Sequence, residues 1–77
     1  MRKRKYTFEQ FNKDYEFIHY EPVYSTKTGK KGIRYVTFEP FTDEEKQAFK
    51  AYNNVVVSDC YIRYAPEIKH GSIIILK

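Results

Sequence analysis

A single cysteine, Cys60, is the only thiol in this 77-residue chain, so no disulfide can close within one chain. The lack matters because a domain of this length buries only about 60 to 65% of the surface its unfolded chain exposes, and such small cores usually lean on disulfides, a structural metal or a partner subunit. Metal is not signalled: His19, His70, Cys60 and Asp59 show no ligand spacing, and zinc needs three or four converging ligands. Long apolar runs are missing too. No stretch reaches the roughly 18 apolar residues of a membrane helix, and Arg2 to Lys5 lead into nothing resembling a signal peptide. The expected setting is therefore the cytoplasm, which an unpaired thiol also fits. The GKKG of Gly29 to Gly32 lacks the glycine spacing and the following Ser or Thr of a phosphate-binding loop. Asp59 and Cys60 are neighbours on an expected strand, so they point to opposite faces and do not work as a pair. These absences point away from an enzyme and imply no cofactor.

Net charge is +4, and its distribution matters more than its size. Arg2, Lys3, Arg4 and Lys5 supply four of the 14 cations, leaving ten basic against ten acidic groups in the rest of the chain. A nucleic-acid-binding domain normally carries its basic face in its folded part, because affinity comes largely from counterions released by the phosphates. Outside the first residues only the loop segment KTGKKGIR, with Lys27, Lys30, Lys31 and Arg34, offers such a cluster, and Glu39, Asp43, Glu44 and Glu45 follow close behind. Residues 1–6 read as a basic flexible tail and 7–77 as one domain.

Local patterns predict two helices and four strands. Thr7 with Gln10 matches a capping box, and Phe8, Phe11, Tyr15 and Ile18 fall at helical spacing, giving a helix over 8–18. YEFIHYEPVY also alternates like a strand, and Glu21 before Pro22 is pushed toward extended geometry. Strands over 21–26 and 33–38 pair as a hairpin across TKTGKKG, whose two glycines suit positive backbone angles. A second helix spans 42–53: Thr42 and Glu45 form a capping box, Asp43, Glu44 and Glu45 sit where the helix dipole favours negative charge, and Ala48, Phe49 and Tyr52 make its buried stripe. Asn53 and Asn54 suit left-handed geometry at its end. VVVSDCYIRY is a strand stopped by Pro66, and after a loop ending at Gly71 the run SIIILK closes the chain as a strand covered on both faces. The fold class is α+β in the order α-β-β-α-β-β, an antiparallel sheet with helices packed on one face. A strand ending in IIIL either lies inside the sheet or meets another subunit, so a symmetric dimer through Ser72 to Leu76 is expected.

Eight tyrosines and six phenylalanines make up 18% of the chain, more than so small a core is expected to need. Tyr20, Tyr24, Tyr35, Tyr61 and Tyr64 fall on the expected strands or their ends, where alternate positions share a face. Tyrosine is enriched at the centres of protein interfaces, and its ring also stacks on unpaired bases. The prolines recur two residues after an aromatic, at Tyr20 to Pro22, Phe38 to Pro40 and Tyr64 to Pro66, as punctuation of strand ends. No family motif is present. In style the chain resembles small proteins of phages and mobile elements, many of which bind and block a host protein. The leading expectation is a binding protein acting through protein contact, with the tyrosines and the loop of Lys27, Lys30, Lys31 and Arg34 as its surface. The alternative is a nucleic-acid module using Arg2, Lys3, Arg4 and Lys5 with that loop. A third is a binder of a phosphorylated nucleotide, which the same cations and rings would suit.

Overall fold

The computed structural model describes residues 4–77, so Arg2 and Lys3 of the basic start lie outside the described residues. The elements follow the expected order: α1 (Phe8–Asp14), β1 (His19–Tyr24), β2 (Lys31–Thr37), α2 (Asp43–Phe49), β3 (Val55–Ile62) and β4 (Ala65–Leu76). The strands form one antiparallel sheet in the order β1-β2-β4-β3. The closing strand thus lies between β2 and β3, so its backbone is paired on both sides and offers no edge to a second chain. Edge-to-edge strand pairing of two copies at Ser72 to Leu76 is therefore closed off, and a dimer there would have to meet through a sheet face.

Each helix begins where its capping chemistry says. The Thr7 hydroxyl accepts from Gln10 N–H, and Thr42 with Glu45 forms the full reciprocal box. Both helices are shorter than their apolar spacing implies. α1 ends at Asp14 because Tyr15 is already extended, and Tyr15 and Phe17, two residues apart, both pack against the core, which only extended backbone allows. After α2 the chain tightens into three-residue turns at Ala51 and Tyr52. No non-glycine residue has positive φ among the described residues, so Asn54 does not serve as a left-handed cap; it is buried and bonded to Tyr6 and Leu76. In the β1–β2 hairpin only Gly29 takes a positive φ, at 70°. Gly32 lies within β2, where an added Cβ would meet Ile75 O at 2.6 Å.

Pro66 does not end a strand but sits inside β4. Tyr61 pairs with Lys69 while Ile62 pairs with Ala65, so the register shifts and Pro66, Glu67 and Ile68 face no partner, a place where a residue without N–H is tolerated. β3 and β4 consequently run past the rest of the sheet as a two-stranded arm turning at Arg63 and Tyr64.

Alternation divides the sheet. Ile33 and Tyr35 of β2, Ile73 and Ile75 of β4, and Val55 and Val57 of β3 align across the register, and with Phe11 of α1 and Phe49 of α2 they form the core. Nine of the 14 aromatic rings belong to this cluster or pack on it, with Phe11 and Tyr35 centroids 4.6 Å apart. Aromatic content that looked excessive is therefore largely the core itself. Tyr6 is one of these buried rings, so the domain begins before residue 7.

Candidate functional site

The other row of alternation carries the most distinctive group of side chains. Arg34 stands in the middle of β2, and its guanidinium is held by one residue from each remaining strand. Nη1 donates to Glu21 Oε1 of β1 at 3.0 Å, Nε to Ser72 Oγ of β4 at 3.1 Å, and Nη2 to Cys60 Sγ of β3 at 2.8 Å. Glu21 is directly opposite Arg34 in the β1–β2 register, whereas Cys60 is reached across β4, a span only a long, forked cation covers. Ser72 is buried and Arg34 half-buried, so the charge lies low in the sheet and is matched by a single carboxylate. Asp59, next to Cys60, faces the opposite way and pairs with Lys46 of α2 and Lys69 of β4.

Apolar side chains surround this polar centre, Val36 buried and several others left open. Ile18 and Val56 are each about half exposed, at 50% and 52%, Ile62 and Ile74 are half-buried, and Tyr64 at the arm's turn is 94% exposed. A depression of about 410 Å³ lies over Arg34 and Cys60, walled by Ile18 and His19 on one side and Ile62 to Tyr64 on the other. Beyond it His70 is buried: Nδ1 donates to Phe38 O at 2.8 Å, the ring packs edge-on to Phe38, and Nε2 has no hydrogen-bond partner among the described residues. No group of three His, Cys, Asp or Glu side chains suited to a metal ion occurs among the described residues.

The structure separates the residues that the sequence grouped. Tyr35 is buried against Phe11 and Phe17 and belongs to the core, because its position in β2 shares a face with Ile33. Tyr20 and Tyr24 are exposed, but on the Tyr35 side of β1, and Tyr20 packs on Phe17. Tyr61 and Tyr64 stand on the arm at the rim of the Arg34 depression. Arg34 leaves the cationic loop altogether. Lys27 and Lys30 stay on that loop, and Lys31 opens β2 beside the chain's last residue. Arg4 bridges to Tyr52, which brings the described part of the basic segment against the domain. Ile18, Glu21, Cys60, Ile62 and Ser72 were missed by sequence reasoning, although the opposite charges of Glu21 and Arg34 are a cross-strand signal once the hairpin register is known. Comparison with protein-family models, curated proteins and solved structures finds no match, and no helix among the described residues is long and apolar enough to cross a membrane.

Proposed function

We propose that this chain is a non-enzymatic binding protein that occupies the surface of a partner protein with the sheet face centred on Arg34. The observation that supports this is composition joined to exposure: Ile18, Val56 and Tyr64 stand open around a half-buried arginine already oriented by three partners. Tyrosine and arginine ringed by apolar side chains are the groups that dominate protein interfaces, and an arginine held in place loses little freedom on binding. An inhibitor acting by occupancy needs no more than such a surface.

The test uses tagged chain recovered from its native host, identification of the protein it retains, and affinities for that purified partner. Ile18→Asp and Tyr64→Ala should each weaken binding about tenfold or more, with circular dichroism unchanged. Glu67→Gln, an exposed position on the arm away from the depression, should leave affinity unchanged. Retention of no protein, or affinities indifferent to Ile18 and Tyr64, would overturn the proposal.

A further inference from the structure

A second surface, independent of the Arg34 face, gathers at the sheet end where Lys5 and Tyr6 lie beside Leu76 and Lys77. Lys77 N–H donates to Lys31 O at 2.7 Å, which sets the residue just after β4 beside the first residue of β2. Asn54 bonds Tyr6 on one side and Leu76 O on the other, bringing Lys5 to the same end. The result is two adjoining depressions of about 510 and 220 Å³ that share Phe8 and Lys77. Tyr24 and Lys31 line the first, Lys5 the second, and Glu9 is the one acidic side chain lining either.

What sets this end apart is the gathering of cations rather than the lack of ion pairs, which Lys5, Lys31 and Lys77 share with Arg4, Lys13, Lys27, Lys30, Lys50 and Arg63 among the described residues: three lysines line two adjoining depressions. From this we infer that the surface binds single-stranded nucleic acid, with the three lysines on successive phosphates and Phe8 and Tyr24 as stacking faces for bases. Three separated ammonium groups suit a chain of phosphates better than one anion. Rings beside them favour unpaired bases, since the bases of a duplex are already stacked.

The experiment is fluorescence anisotropy of labelled oligo-dT and oligo-U of about 20 nucleotides with the full chain between about 50 and 200 mM salt. Binding should weaken with salt at a logarithmic slope of about −2, as expected for three phosphates on a single strand. Lys31→Glu/Lys77→Glu and Lys5→Glu should each reduce affinity about tenfold or more, and Tyr24→Ala should reduce it severalfold at every salt concentration without changing the slope. Lys13→Glu/Lys69→Glu alters charge to the same extent as the first variant but away from this end, and should have a much smaller effect. No binding at the lowest salt, or equal losses in the two double variants, would overturn the inference. So would sedimentation with vesicles containing about 30% phosphatidylglycerol in the absence of oligonucleotide binding, which would assign the cations to a membrane surface.

Discussion

Asn54 holds Tyr6 by both ends of its amide: Oδ1 accepts from Tyr6 N–H and Nδ2 donates to Tyr6 O, each at 2.9 Å. The same Nδ2 donates to Leu76 O at 2.9 Å, so one buried side chain fastens the first described segment to the central strand. Replacing Asn54 with alanine leaves those backbone groups without partners and should cost about 3 kcal/mol. A urea melt measures this, and a loss below about 0.5 kcal/mol would show that water replaces the amide at no cost.

Phe49 and Thr42 provide a contrast within one helix. Phe49 is buried against Tyr6 and Phe41, with centroids 5.4 Å away in each case, and Phe49→Ala should cost about 3 to 5 kcal/mol. Thr42→Ala removes an exposed cap and should cost about 1 kcal/mol. Equal midpoints for the two variants in denaturant would contradict this packing.

Glycine 32 and glycine 29 should respond to alanine for different reasons. At Gly32 the new Cβ meets backbone, Ile75 O at 2.6 Å, so the β2–β4 pair must separate and the loss should approach about 3 kcal/mol. At Gly29 there is open space and only the positive φ is strained, a cost of about 1 to 2 kcal/mol. Thermal midpoints in the reverse order would refute the contrast.

Stability should fall at both extremes of pH. Burial, followed by the neighbouring Glu45 carboxylate, pushes the Tyr15 hydroxyl up to about 12, and burial, followed by Asp14, raises Tyr6 further. Because both folded values lie above the unfolded value of 10.0, their contribution is intact below pH 10 and is lost as pH rises above it, for Tyr15 through about 12. Glu45 moves the opposite way: the Thr42 N–H it accepts holds it below the ordinary 4.5, so its contribution is present above that value and lost as pH falls through the folded one. Denaturant midpoints across pH measure both limbs. Tyr15→Phe should flatten the alkaline limb, and an unchanged limb would place the titrating groups elsewhere.

Local chemistry was enough to determine the helix starts at Thr7 and Thr42, the hairpin loop around Gly29, the valine-rich strand and the existence of a closing isoleucine strand, whose place between β2 and β3 only the topology decided. Each of these depends on neighbours within a few residues or on an apolar run that water rejects. Element ends were less legible, because the stops at Asp14 and Phe49 depend on what Tyr15 and Tyr52 pack against. Tertiary structure alone decided that Tyr35 is core while Tyr64 is open, that Pro66 rests in a register shift, and that Arg34 leaves the lysine loop to join Glu21, Cys60 and Ser72. It also placed Lys5 and Lys31 at one end of the sheet. The reason is physical: a strand position acquires its face from register, and register is set by partners 13 to 38 residues away, beyond the reach of any local pattern.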